Sequence, residues 1–112
     1  VVDDDPLTHY IVVRADLPMG VIAAQIAHAA GESSRGDLGP GTFAVVLAVA
    51  DQAALELEAS RLVGRGVELV QIREPDAPYD GALMALGLRP GLRSALRRHL
   101  ANLPLFRRSL MV

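Results

Sequence analysis

The stretch YIVVRADLPMGVIAAQIAHAA, residues 10–30, decides how the rest of the chain is read. Together with Thr8 and His9, its first residues form a run rich in β-branched and aromatic side chains, which predicts a buried strand over residues 8–15. Asp16-Leu17-Pro18 then reads as a helix start, with Asp16 placed to cap it and Pro18 suited to a first-turn position. Over residues 19–32, Met19, Ile22 and Ile26 fall at helical spacing, and Ala23, Ala27 and Ala30 widen the stripe. So many alanines let a helix lie close against a sheet.

Working outward, residues 1–7 read as a disordered acidic tail carrying Asp3, Asp4 and Asp5, and residues 8–108 as a single domain. Residues 33–41 (SSRGDLGPG) carry turn chemistry, and residues 42–50 (TFAVVLAVA) read as a second buried strand. Asp51 is placed to cap a second helix with Leu55, Ala59, Leu62 and Val63 at helical spacing, stopped by Gly64 and Gly66. A third strand is expected over residues 67–71, a polar connection over 73–80, and a fourth strand over 82–88. Pro90 is expected to open a third helix whose stripe Leu92, Ala95, Leu96 and Leu100 leaves Arg93 and Arg97 outward. The order β-α-β-α-β-β-α predicts an α/β domain, a three-layer α/β/α sandwich. The short link between the last two strands makes the four-stranded sheet mixed.

Length and composition narrow the function classes. The 112 residues suit one core, and 51% hydrophobic content excludes a disordered chain. No apolar run reaches the roughly 18 residues of a membrane-spanning helix. The lack of cysteine excludes disulfide scaffolds, thiol catalysis and thiolate metal sites, and fits the cytoplasm. The chain opens on Val1, which reads as a processed or excerpted sequence without a visible signal peptide.

The net charge of −2 hides an asymmetry. All eleven basic residues are Arg, every acid lies at or before Asp80, and Arg89, Arg93, Arg97, Arg98, Arg107 and Arg108 follow it. A purely basic C-terminal quarter points to an anionic partner, nucleic acid first, or to a solvated basic helix face.

Three places have the residue types that chemistry needs. The corner of Arg14, Asp16, Met19 and Gly20 opens a helix, whose free N–H groups and positive dipole end attract anions, and Gly20 allows close backbone approach. The bland alternative is an ordinary capped helix start. Gln25 and His28 lie one turn apart on that helix, where His28 would carry a proton or bond a phosphate or ribose, or else simply pack. The connection with Arg73, Glu74, Asp76, Tyr79 and Asp80 leaves a strand's carboxyl end, so a carboxylate there would be a general base, or the loop is merely solvated. His9, His28 and His99 lack metal-ligand spacing, so neither a metal nor a cofactor is expected. No GxSxG elbow, P-loop or dinucleotide fingerprint is present.

Val12, Val13, Arg14, Asp16, Leu17, Met19, Gly20, Ala23, Ala24, Gln25, His28 and Ala29 together resemble the opening of the type-2 peptidyl-tRNA hydrolases. Leu69-Val70-Gln71, Gly87-Leu88-Arg89-Pro90 and the closing residues 100–106 are similar to later elements of that family. The resemblance implies its fold, often as a homodimer, and hydrolysis of the ester joining a peptide to the ribose of tRNA. Two departures fall on the chemistry. Met19-Gly20 runs straight into Val21-Ile22 where the family carries a catalytic Lys, and Ile72 stands where its catalytic Asp is expected. The Pro75-Asp76 segment is closer to the divergent peptidyl-tRNA hydrolase domain-containing branch.

Three functions follow as expectations. The first is a divergent peptidyl-tRNA (N-blocked aminoacyl-tRNA) hydrolase. In it Asp76, Asp80 or Glu74 orients water, Gln25 and His28 assist, and Arg14, Asp16, Met19, Gly20, Arg73, Arg89, Arg93, Arg97 and Arg107 bind tRNA. The second is a non-catalytic module of the same fold binding tRNA or another anion. The third is a hydrolase for another ester or amide.

Overall fold

The computed structural model describes residues 5–107; residues 1–4 of the expected tail, and Arg108 at the expected domain end, lie outside the described residues. The chain runs β1 (Leu7–Arg14), α1 (Met19–Ser33), β2 (Phe43–Val49), α2 (Gln52–Gly64), β3 (Leu69–Glu74), β4 (Ala82–Leu88), β5 (Gly91–Leu92) and α3 (Arg93–Leu100). It is an α/β fold with a mixed sheet in the order β2-β1-β4-β3, and β5 pairs with the start of β1. β1 runs parallel to β2 and antiparallel to β4, and β3 runs antiparallel to β4. No helix among the described residues is long and apolar enough to cross a membrane.

Strand alternation divides the core in two. Tyr10 and Val12 of β1 join Leu55, Ala59 and Leu62 of α2 and Leu100 of α3 in one cluster. Ile11 and Val13 join Ile22 and Ala29 of α1 in the other. Between β3 and β4 the register steps from Ile72↔Ala85 to Arg73↔Leu83, so Met84 is an extra residue, and both Met84 and Ala85 face the α1 cluster. The expected stripe alanines Ala23 and Ala27 are exposed and Ala30 is partly buried; the close approach is made by Ala29 of α1 and Gly87 of β4. A Cβ at Gly87 would collide with the Ala29 carbonyl and lie 2.6 Å from Ser33 Oγ. Helix and sheet therefore touch backbone to backbone.

Several sequence expectations need correction. Asp16 does not cap α1. Its carboxylate is held by the Arg14 guanidinium at 2.7 and 2.8 Å, a two-pronged charged pair that outcompetes a lone N–H, and the cap position falls to Pro18 with no side-chain bond. β3 starts two residues later and ends three later than expected. Val67 N–H is spent on the Leu62 carbonyl that closes α2, while Arg73 and Glu74 keep pairing with Leu83 and Ala82.

Pro90 does not open α3. It precedes β5, which sequence patterning missed because two residues carry no periodicity, so the four-stranded sheet gains a fifth short strand. Leu92 is half-exposed at the cap position rather than on the buried stripe. The expected tail is also engaged by the fold: Leu7 begins β1, the Pro6 carbonyl accepts from Arg93 N–H, and Asp5 binds Ser94. Residues 104–106 close the free edge of β2 through Ala48 N–H to the Pro104 carbonyl and Phe106 N–H to the Val46 carbonyl.

Candidate functional site

β1 ends at Arg14, and α1 begins at Met19 without a side-chain cap. The first-turn N–H groups of α1 thus face outward with the positive end of the helix dipole. The connection from β3 to β4 folds against this corner. It is held by Tyr79 N–H and Asp80 N–H to the Asp76 carbonyl and by Gly81 N–H to the Glu74 carbonyl. Between them lies a cleft of about 380 Å³ lined by Gly20, Ala24 and Gln25 of α1 and by Glu74, Asp76 and Tyr79. Residues more than fifty positions apart in sequence thus meet in one place.

Gln25 is the telling residue. It is only 4% exposed, lines the cleft, and its side-chain amide has no hydrogen-bond partner among the described residues. Its polar atoms are not sealed from solvent, since His99 Nδ1 is the only buried side-chain polar atom without a partner among the described residues; they open on the cleft, where water or a ligand can bond them. Gly20 leaves open space where a Cβ would stand, so the backbone there is approachable.

The structure gathers Gly20, Gln25, Asp76, Glu74 and Tyr79 and leaves the other candidates out. His28 is exposed and lines an adjoining shallow hollow with Ala24, Ala27, Gly31 and Glu32, which shares Ala24 with the cleft but not Gln25. Met19 is 54% exposed and does not line the cleft. Asp80 is likewise outside it, holding a positive φ of 48° in the turn before Gly81, a backbone role that suits Asp.

The cations lie elsewhere as well. Strand alternation sends Arg73 to the opposite face of the sheet from Glu74, where it pairs with Glu56 of α2 at 3.1 Å and lowers the Glu56 pKa. Arg14 is bound to Asp16 and to the Leu83 carbonyl at 3.2 Å. The hydrogen-bonded pair raises the Arg14 pKa and lowers that of Asp16. Neither cation lines the cleft.

Arg93 and Arg97 border a groove of about 380 Å³ with Tyr10, Leu47 and Leu105, and Arg93 sits 5.6 Å from the Phe43 ring centroid. This groove lies over the middle of β1 and β2, at Tyr10, Val45 and Leu47, whereas the cleft lies past the end of β1. Arg89 pairs with Glu68 at 3.0 Å, and Arg107 is exposed. Groove and cleft share no lining residue. No group of three or more His, Asp or Glu among the described residues is arranged to hold a metal ion.

Two features escaped sequence reasoning. Glu74 was read within the loop, yet it is the last residue of β3, and its alternation with Arg73 is what points it into the cleft. The pairing of His9 Nε2 with Ser33 Oγ at 2.7 Å joins β1 to the end of α1, and no local motif announces it. No protein-family model matches this sequence, and no curated protein matches it.

Proposed function

We propose that the chain is a divergent peptidyl-tRNA hydrolase-type domain that cleaves the ester of peptidyl- or N-blocked aminoacyl-tRNA in the cleft beside α1. The observation that carries this reading is the Gln25 amide, without a side-chain partner among the described residues and open to a cleft shared with Gly20, Glu74 and Asp76. Asp76 or Glu74 takes a proton from water as its oxygen attacks the ester carbonyl. The N–H groups at Gly20 and Val21 meet the charge developing on the carbonyl oxygen, and Gln25 orients water or the acyl group. The C–O bond to the ribose breaks, and the proton passes to the leaving 3′ oxygen, giving a free peptide acid and tRNA. With no cation lining the cleft, charge stabilisation falls to backbone N–H groups rather than to a Lys. This reading includes a three-layer α/β/α arrangement, work in the cytoplasm where such esters form, and pairing as a homodimer.

A second reading, a tRNA- or anion-binding module without catalysis, is favoured by one observation. The α3 arginines line a groove apart from the cleft, while no cation lines the cleft itself, as Arg14 and Arg73 are paired with Asp16 and Glu56.

Release of free tRNA from N-acetyl-aminoacyl-tRNA separates the two. The hydrolase reading expects release, and a loss of about 100-fold or more in Asp76→Asn or Glu74→Gln, the usual scale of a general base. Purified protein that binds the substrate at low salt without releasing tRNA overturns it in favour of the binding module.

A further inference from the structure

We propose that the hollow between α3 and the turn leading into β3 seats a phosphoryl oxyanion. This hollow holds about 310 Å³ and is lined by Arg65 and Glu68 from the turn, Arg89 from the end of β4, and Arg98 and His99 from α3. Three arginines and one glutamate line it. Arg65 and Arg98 have no ion-pair partner among the described residues. Arg89 reaches Glu68 through Nη1 alone, which leaves its Nη2 and Nε donors unused. The Glu68 carboxylate is 66% exposed and also lies 3.6 Å from Arg35, so its hold on Arg89 is an exposed pair of little strength.

Backbone carbonyls offer these cations little competition. The Leu62 carbonyl is taken by Arg65 and Val67 N–H, that of Val63 by Gly66 N–H, and that of His99 by the Arg61 guanidinium. His99, which also lines the hollow, keeps Nδ1 buried and without a partner among the described residues.

The number and geometry of donors select the ligand. Arginine forks approach planar or tetrahedral oxyanions in pairs, and three of them outnumber the two oxygens of a carboxylate. A tetrahedral phosphoryl group offers three or more acceptor oxygens, and the hollow has room for a second phosphate or an attached ribose. Two sources present that chemistry: a small diphosphate, or the phosphodiester backbone of RNA. The site shares no residue with the cleft and stands independently of any hydrolysis there.

Titration of the whole chain with inorganic pyrophosphate, followed by amide chemical shifts, tests the seat. Shifts are expected at Gly66, Arg89 and Arg98, and the Arg65→Gln, Arg98→Gln double variant is expected to bind at least about tenfold more weakly. Glu68→Gln removes the one repelling carboxylate and is expected to tighten binding several-fold. Glu56→Gln on α2, beside Arg73 of β3, makes the same change of net charge and is expected to leave binding unchanged. A gain of affinity cannot come from unfolding. Pyrophosphate shifts confined to other residues, or equal effects of Glu68→Gln and Glu56→Gln, overturn the proposal. Displacement of bound pyrophosphate by a single-stranded RNA assigns the seat to the RNA backbone, and its retention assigns the seat to a small diphosphate.

Discussion

Asp5 accepts hydrogen bonds from both the backbone N–H and the hydroxyl of Ser94, each at 2.7 Å, across 89 residues of sequence. Helix α3 has no cap from its own neighbour Leu92, so the chain's opening residues supply it. Pro6 reinforces the contact by accepting from Arg93 N–H. The start of the chain is thereby tied to its last helix, and the short β5 completes the join by pairing Leu92 with Leu7.

This clamp makes a pH prediction. The Ser94 side-chain and backbone bonds hold the Asp5 carboxyl below its ordinary value of 3.8. A carboxyl depressed in the folded state stabilises the fold above its unfolded value and loses that contribution as pH falls through the folded one. Thermal unfolding of Asp5→Asn is therefore expected at a lower temperature than wild type at neutral pH, with the gap closing on acidification below about pH 4. A gap that is constant down to pH 2 would show that ionisation of Asp5 does not strengthen the clamp.

How much of this was legible in the sequence depends on whether the physics was local. Asp51 is read as a cap and caps, accepting from Ala54 N–H at 2.9 Å, because the cap and its helix are neighbours. The runs that became β1, β2 and β4 were found at nearly their true bounds because each is a dense apolar stretch. The Asp5 cap was not legible, since its partner lies 89 residues away. Nor was the loss of Asp16 as a cap, which turns on how Arg14 bends back on it. In the cleft, Gln25, Gly20 and Asp76 were named from residue type, but the sorting of Arg73 from Glu74 onto opposite faces needed the register of β3.

His9 gives a second pH window. It is buried, and burial lowers its pKa from the ordinary 6.5. Because Ser33 Oγ donates to the Ala29 carbonyl at 2.6 Å, the His9 Nε2 facing it is the protonated nitrogen of a neutral ring. The unfolded chain takes up a proton more readily, so stability is full above pH 6.5 and declines as pH falls from there toward the folded value. The slope is at most about 1.4 kcal/mol per pH unit. Denaturant titrations at pH 7.5 and pH 5.5 should show the decline in wild type and a flatter profile in His9→Gln, which keeps an N–H donor for Ser33. Identical slopes in the two proteins would remove His9 as the cause.

The same substitution should have opposite effects at two glycines. Gly87→Ala drives a methyl into the Ala29 carbonyl and Ser33 and is expected to destabilise by about 1–3 kcal/mol as α1 is pushed off the sheet. Gly31→Ala adds its methyl to α1 where nothing lies within 4 Å, and is expected to stabilise by about 0.5–1 kcal/mol through the lower entropy cost of alanine in a helix. Urea unfolding midpoints measure both. A Gly87→Ala protein as stable as wild type would mean that α1 and β4 do not sit in backbone contact.

Gly20 separates the role of the α1 corner in ligand binding from its role in folding. A Cβ there meets nothing within 4 Å, and valine has a slightly better helix propensity than glycine. Gly20→Val is therefore expected to unfold within about 0.5 kcal/mol of wild type. In the cleft the new side chain would occupy the approach to the first-turn N–H groups beside Gln25 and Asp76. On the proposed hydrolase reading, turnover of N-acetyl-aminoacyl-tRNA is expected to fall by about 100-fold or more, the scale of losing one donor to a developing oxyanion. Placing the same valine at Gly31, on the same helix but outside the cleft, should leave turnover unchanged. A Gly20→Val protein that is folded and fully active would mean that the N-terminus of α1 takes no part in the chemistry.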